Sequence, residues 1–484
     1  MLPNVKISIN EEVLNTGSSF NTFLPLVILK TVTGPIGTAV LIQSEKAFIN
    51  TFGTPTQSTP EAYGMQQYIR NYGQAYIVRV AGAAAAKASG TIKSGSTNLI
   101  TMESTYKTAE LNGVNVDLIY SSTDNKMYLS MTVGSKVITS IKETIDYSTA
   151  TADVVEAALT KIVSSFNDAQ SYVVLTNVFV DKTSEDTKPT AFTKIETPLT
   201  GGADGNAGVT DTEVKALIED YRNTGLGIDA LLAPGFESAD VVNKLSNVAE
   251  ASSFIGIASI SGNATTVCAT AGTYTASSSL ALYAGKVYLN GDNSIEVPAC
   301  IAILPAYITR NRSSKWLAPA GVTRGTLTFV TGLVNKYNDS ELEEMYINSN
   351  PVNGIKFISA YGYVVWGQKT ALQDTTQYQD RINVVRLCKY LTKEIYGISY
   401  DYLFEPITSY TYNSWTLRVM SLMDEVKAGN GLDVYRVIMD DTINTEETKR
   451  QNKLIGIVRF KPLEAAEYIE ITFVVTDDVE GGNA

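Results

Sequence analysis

PEAYGMQQYIRNYGQAYIVRVAG, residues 60–82, sets the fold class. Pro60 stands where a helix starts, because the N–H it lacks is one that a first turn leaves unbonded anyway. Gly73 stands where the helix stops. Gln74–Gly82 then reads as a strand. Upstream, PLVILKTVTGPIG (25–37) is an apolar run followed by a turn, and SEKAFINTFG (44–53) is a short amphipathic helix ended by Gly53. Strand, helix and strand in this order are typical of an α/β layer.

The same alternation returns much later. LTGGADG (199–205) is a glycine-relaxed turn. Thr210 and Glu213 have capping-box spacing, and Val214, Leu217, Ile218 and Tyr221 share the face of the helix that follows. GIDALLAPG (227–235) and FIGIASI (254–260) read as strands, with a helix over 238–252 between them. Residues 85–198 have a different texture, rich in Ser and Thr. They hold short alternating strands (VNVDLIYS, KMYLSMTV, SKVITSIKET) and a helix, ADVVEAALTKIVSSF. They form a β-rich domain inserted at an exposed loop of the α/β core.

Toward the C-terminus, VNGIKFISAYGYVVWGQKTAL (352–372) is two strand-like halves. TQYQDRINVVRLCKYLTKEIYG (376–397) carries an apolar stripe of Ile382, Val385, Cys388, Leu391 and Ile395, with Gly397 placed to end the helix. A second helix closes at Gly429, and LDVYRVIMD and KLIGIVRFKP are strands. Short alternating runs lie near both chain ends. Val5, Ile7 and Ile9 share one face, as do Ile469, Ile471, Phe473 and Val475. They pair either within their own domain or with the sheet edge of another chain.

Composition narrows the function. The 484 residues are 44% apolar and 18% charged, enough for several cores. The net charge of −12 disfavours nucleic acid, which is held by Lys and Arg. The chain has 27 tyrosines, suited either to a β-rich core or to interfaces. It has no histidine, which removes the commonest general base and transition-metal ligand. Three scattered cysteines, Cys268, Cys300 and Cys388, give neither a metal pattern nor a disulfide framework, as in a reducing compartment. No stretch reaches eighteen apolar residues, and the first residues lack the apolar run of a signal peptide, so no membrane insertion is expected.

Candidate chemistry is thin. GGADG and GLG lack full nucleotide-loop spacing. Asp204 and Asp211 do not match a calcium loop, and the pairs Asp440–Asp441 and Asp477–Asp478 read as solvated turns. No catalytic, cofactor or metal residues are assigned. Arg310, Arg312, Lys315 and Arg324 cluster in sequence around Trp316, in and just before SKWLAPAGVTRGTL (314–327). This segment is either an anion site or a backbone path held along a protein surface. Pro319 keeps Ala318 extended, Gly321 and Gly325 permit bends, and Trp316 supplies an anchor.

At this segment the chain resembles the tail sheath proteins of contractile phages and related contractile injection particles. NRSSKWLAPAGVTRGTL is similar to the family's Trp–Ala-Pro-Ala-Gly–Arg-Gly signature, here Trp316, Pro319, Gly321, Arg324 and Gly325. GPIGTAVLIQSEKAFINTFG, YIRNYGQAYIVRVAG, PLTGGADG, NPVNGIKFISAYGYVVWGQKTAL and RINVVRLCKYLTKEI resemble other family segments. The resemblance implies a structural subunit that stacks as hexameric rings around an inner tail tube, contracts on a baseplate trigger and drives the tube through a cell envelope. It needs no enzyme activity and no cofactor.

It further implies a multidomain α/β architecture. The arms are 1–22 and 466–484, the core is 23–84 with 199–350, the outer insertion is 85–198, and a C-terminal α/β domain at 351–465 faces the tube. Val5, Ile7, Ile9, Ile469, Ile471, Phe473 and Val475 would be exchanged strands between subunits. Lys389, Lys393 and Glu394 would face the tube, and Arg324 would bond a carboxylate or carbonyl across the fold. Baseplate and tail terminator proteins would be further partners. The subunit would sit in a virion tail and be assembled in the host bacterial cytoplasm. The competing readings are a histidine-independent hydrolase, which would need a buried cluster of perturbed carboxylates, and a non-contractile surface-layer or adhesion subunit.

Overall fold

A computed structural model of the chain describes residues 23–133, 136–308, 315–374 and 376–468. Its organising element is a six-stranded sheet. Strand β1 (Pro25–Leu29) is followed by β2 (Ala39–Ile42), helices α1 (Glu45–Phe52) and α2 (Pro60–Tyr72), and β3 (Ala75–Arg79). Every residue of β1 is buried, because the sheet is covered on both faces. Val27 and Leu29 point into one core, with Phe48, Phe52, Met65 and Tyr68 of α1 and α2. Leu26 and Ile28 point into the other.

After β3 the chain leaves the sheet for residues 80–208. This insertion holds β4 (Ser89–Ser94), β5 (Thr97–Ser104), β6 (Asn115–Ser121), β7 (Lys126–Val133), β8 (Lys136–Thr144), α3 (Ala152–Ala169), β9 (Val173–Asn177) and β10 (Lys194–Pro198). They make two sheets, β4-β5-β9 and β10-β6-β7-β8. Val155, Leu159, Ile162 and Phe166 of α3 fill a core of their own with the inward residues of both sheets. The outer edge of β9 is blunted by side chains. Asn167 exchanges two hydrogen bonds with the Leu175 backbone (2.9 and 3.0 Å), and Gln170 does the same for Val173 (2.6 and 3.0 Å). These amides stand in for a missing neighbour strand.

The core then resumes with α4 (Asp211–Asp220), β11 (Ala230–Leu232), α5 (Ala239–Glu250), β12 (Ile255–Ile260), α6 (Ala264–Ala271) and β13 (Leu280–Ala284). The capping box of Thr210 and Glu213 opens α4. Residues from α4, α5 and α6 fill the second core, including Val214, Ile218, Leu245 and Val267. The sheet order is β13-β12-β11-β1-β3-β2, all parallel except β2. A smaller sheet joins β14 (Lys286–Leu289), β15 (Asp292–Pro298) and β16 (Val330–Leu333). Between β15 and β16 lie the short helices α7 (Ala299–Ala302), α8 (Leu304–Tyr307) and α9 (Gly321–Arg324). Then come α10 (Asp339–Tyr346) and the hairpin of β17 (Gly354–Ile358) and β18 (Gly362–Trp366).

The chain forms two compact units, 1–310 with 319–385, and 311–318 with 386–484. Residues 351–385 therefore cluster with the larger unit, not with the C-terminal domain expected from 351 onward. The reason is pairing. Ala284 N–H donates to Asn353 O (2.9 Å) and Ala371 N–H donates to Leu280 O (2.8 Å), which fastens this segment to β13. The second unit contains α12 (Ser409–Ala428) and the antiparallel pair β19 (Leu432–Ile438) and β20 (Ile457–Pro462). Its core joins Leu387, Tyr390 and Leu391 of helix α11 (Ile382–Tyr400) to Trp415, Val419, Met423 and Val426 of α12. Helix α11 does not stop at Gly397. It runs one further turn to Tyr400, and Gly397 lies exposed inside it.

Candidate functional site

In an open α/β sheet, ligands bind at the carboxyl ends of the strands, where the strand order reverses. Here that point lies between β1 and β11. Lys30 follows β1, and Ala233–Glu237 follow β11. The crevice is filled by the chain itself. Glu61, in the first turn of α2, is buried, its Oε1 lies 2.2 Å from where a Cβ on residue 235 would stand, and Gly235 takes φ 81°, a left-handed conformation that suits glycine. Burial raises the Glu61 carboxyl above its ordinary value of 4.5, against the pull of Lys30 and Lys286. Its Oε2 is buried without a hydrogen-bond partner. Glu237 is occupied too: it accepts from the Ser261 N–H (3.1 Å) and hydroxyl (2.9 Å). Cys300 nearby is fully buried, and burial pushes its thiol up to about 12, far from a reactive thiolate.

The neighbouring carboxyl end, that of β3, is where the insertion joins. Arg79, the last residue of β3, is completely buried. Its guanidinium donates to three backbone carbonyls: Gly34 (2.9 Å), Lys107 (2.7 Å) and Asp204 (2.9 Å). These belong to the turn after β1, the loop between β5 and β6 of the insertion and the loop by which the chain returns to the core. Desolvation pushes Arg79 down to about 10, so it stays cationic at neutral pH. Burial raises the Glu110 carboxyl, and Arg79 opposes that rise.

Further bonds lace the same seam. Thr108 donates to Val32 O (2.8 Å) and Asn206 to Thr31 O (3.1 Å). The outgoing and returning strands exchange Ala86–Ala203 backbone bonds at 2.9 and 3.0 Å. Gly82 and Gly202 are required by packing: a Cβ on them would lie 2.3 Å from Gly208 O and 2.1 Å from Thr108 O. The edge that a ligand-binding α/β protein leaves open is thus used to seat an inserted domain.

The signature segment is a backbone path. Trp316 is buried in the core of the second unit, donates from Nε1 to Gly429 O (2.9 Å) and lies 5.7 Å from the Tyr390 ring. Gly431 leaves room for it. Lys315 sits over Tyr390 (5.0 Å). In the first unit Pro319 is buried, and Gly321 starts α9 at φ 76°. Gly325 accepts from Val365 N–H (2.8 Å), and Leu327 N–H donates to Tyr363 O (2.8 Å). Residues 325–327 therefore act as a third strand on the β17–β18 hairpin. Arg324 is exposed at the end of α9. Arg310 and Arg312 lie outside the described residues.

Of the expected tube-facing residues on α11, Lys393 is exposed, and Lys389 and Glu394 are half-buried. Cys388 is also half-buried, so the buried stripe runs through Leu387, Tyr390 and Leu391. The expected exchange strands, Val5, Ile7, Ile9, Ile469, Ile471, Phe473 and Val475, lie outside the described residues. Among the described residues no group of three or more His, Cys, Asp or Glu could hold a metal ion. Nor is any described helix long and apolar enough to cross a membrane.

No protein-family model matches the chain. Solved structures do. The crystal structure of a sheath tail protein from Desulfitobacterium hafniense superposes with a TM-score of 0.61, covering 95% of this chain and 100% of that one, at 11% identity. The chain has a tail sheath fold. A sheath tail protein from Listeria innocua gives a TM-score of 0.60 over 93% and 94% of the two chains, also at 11% identity. The sheath complex of an extracellular contractile injection system in its contracted state gives 0.56 over 99% and 98%, at 15% identity.

Sequence similarity to tail sheath proteins agrees. The chain is 32% identical over 169 residues to that of Enterobacteria phage T4, and 32% over 177 residues to that of Vibrio phage KVP40. These matches take in 35% and 36% of this chain, and 25% and 26% of the relatives, so the chain spans about a quarter of their length.

Two measurements test this reading of the sheet edge. Arg79→Met leaves three carbonyls without their donor. It should cost about 3 kcal/mol or more in chemical denaturation and open residues 83–88 and 199–208 to proteolysis; unchanged stability would show that the guanidinium is dispensable. Glu61→Gln should melt higher than the parent at pH 7.5. The raised folded-state value of Glu61 means that its favourable, protonated form dominates at low pH and is lost as pH rises. The advantage of the glutamine should therefore shrink toward pH 4.5; a constant difference would remove Glu61 titration from the account.

Proposed function

We propose that this chain is the structural subunit of a contractile tail sheath. The observation that carries the reading is the superposition on sheath proteins over nearly the whole of both chains, joined to 32% identity with phage tail sheath proteins over a third of this chain. The filled carboxyl edge supports a non-enzymatic role, because Glu61, Glu237 and Arg79 already have structural work where an α/β enzyme would hold its ligand.

On this reading, copies stack as hexameric rings around an inner tail tube, with baseplate and tail terminator proteins at the ends. They assemble in the host bacterial cytoplasm into a virion tail. Contraction is a switch between two packings of the same subunits, in keeping with the bistable character of packed interfaces. The arms, 1–22 and 466–484, join neighbours by donating the strands Val5–Ile9 and Ile469–Val475 to the free edges of the β19–β20 pair. Backbone pairing would keep rings connected while the subunit bodies turn. The inserted domain, 85–198, lies outward. The core comprises 23–84 with 199–385, and the C-terminal region from 386 onward turns Lys389, Lys393 and Glu394 of α11 toward the tube. Arg324 bonds a carboxylate or carbonyl across the fold.

Electron microscopy of the purified chain, beside a version lacking residues 1–20, tests this. Striated hollow tubes from the full chain and only monomers from the truncation are expected. Monodisperse particles from both, at high concentration and varied salt, would overturn it.

A further inference from the structure

The antiparallel pair β19–β20 of the second unit has two unlike faces. Tyr435, Val437, Val458 and Phe460 pack against the core of that unit. The other face carries Val434 and Arg436 of β19 beside Arg459 and Lys461 of β20, all exposed. The register sets Arg436 directly opposite Arg459. Like charges directly opposite one another weaken a sheet. Among the described residues neither guanidinium forms an ion pair. Asp433 lies 3.5 Å from Lys461, and Asp440 attracts Arg436 only from beyond ion-pair distance. Strand β20 itself, IVRFKP, contains no acid. Arg459 thus has one cation across from it and another two residues along its own strand. Such a face calls for a carboxylate from outside the unit.

The chain supplies one. Residues 463–484, which follow β20, contain six acids, Glu464, Glu467, Glu470, Asp477, Asp478 and Glu480, and no Lys or Arg. In the C-terminal arm Glu470 and Thr472 alternate with Ile469, Ile471, Phe473 and Val475. A strand added at a sheet edge continues both faces of the sheet, because successive side chains point to opposite sides. With the isoleucines and Phe473 on the apolar side, Glu470 falls on the cationic side. The N-terminal arm differs: opposite Val5, Ile7 and Ile9 it carries Lys6 and Ser8. Charge therefore tells the two arms apart. The edge of β20, with two cations and no acid, suits the arm that bears Glu470. The edge of β19, with Asp433 in it and Asp440 just beyond it, suits the arm that bears Lys6.

We propose that Arg459 selects and registers the C-terminal arm: residues 469–475 of a second copy of this chain add to the free edge of β20, with Glu470 paired to Arg459. This rests on the sheath reading and adds to it the edge and the register.

The test uses two full-length variants, Arg459→Glu and Glu470→Arg. Tube formation is followed by sedimentation and electron microscopy at low salt, where charges act over a longer range. Each variant alone sets like charges face to face and should raise the concentration needed for assembly about tenfold, since an attractive pair is lost and a repulsive one gained. Mixed in equal amounts, the two variants offer each other opposite charges and should assemble as the parent does, which also shows that both are folded. Arms paired within their own chain would not be rescued by mixing. An unrescued mixture, or single variants that assemble like the parent, overturns the pairing and leaves the sheath reading standing. A parent that stays monomeric overturns both.

Discussion

A guanidinium buried at the end of β3 holds three parts of this chain that are far apart in sequence. Taking Arg79 out of water costs several kcal/mol. The cost is offset by its three bonds to backbone carbonyls, because bonds to a charged donor are worth about 1.5–3 kcal/mol each. The residue does little as a charge pair and much as a fork. It reaches the turn after β1, the β5–β6 loop of the insertion and the returning loop together. Lysine carries one ammonium in place of the planar fork and could not hold all three in the same geometry.

That joint explains how a chain can interrupt a parallel sheet for well over a hundred residues and still close it. Gly82 and Gly202 let the two strands of the neck approach the core without side-chain interference. The same seam covers the carboxyl edge of the sheet, and Glu61 fills the switch point beside it. An architecture that elsewhere positions ligands is turned into a support for a domain.

Much of the core could be read from residue order. The apolar runs 25–29 and 75–80, Pro60, Gly53 and the Thr210–Glu213 box behave as elementary chemistry requires. Other parts gave weak signals. ATTVCATA (264–271) is a helix whose small and β-branched residues make a poor apolar stripe; its clearest mark is Asn263, which caps it by accepting from Thr266 N–H. Glu61 looks like any acid in a first helical turn, and Arg79 like any polar residue ending a strand. Their burial depends on loops distant in sequence, among them Asp204 for Arg79 and Gly235 for Glu61, each over a hundred residues later. Residues 351–385 read as part of a terminal domain because they are bound to β13 mostly by backbone pairing, with Asn353 adding one side-chain bond to Leu282 O, and this leaves little imprint on side-chain pattern. Of the signature residues, Trp316 lies inside the core of the second unit, and the strand-like pairing of 325–327 left no mark in residue order.

The central claim is that Arg79 joins the insertion to the core as one cooperative seam. Amide hydrogen exchange of the parent and Arg79→Met, compared residue by residue, tests it most directly. The account predicts that Gly37, Gly82, Ala86 and Ala203 lose protection together in the variant, while the amides of β12 and β13 keep theirs. Retained protection at those four positions, or a loss spread evenly over the whole sheet, would contradict it.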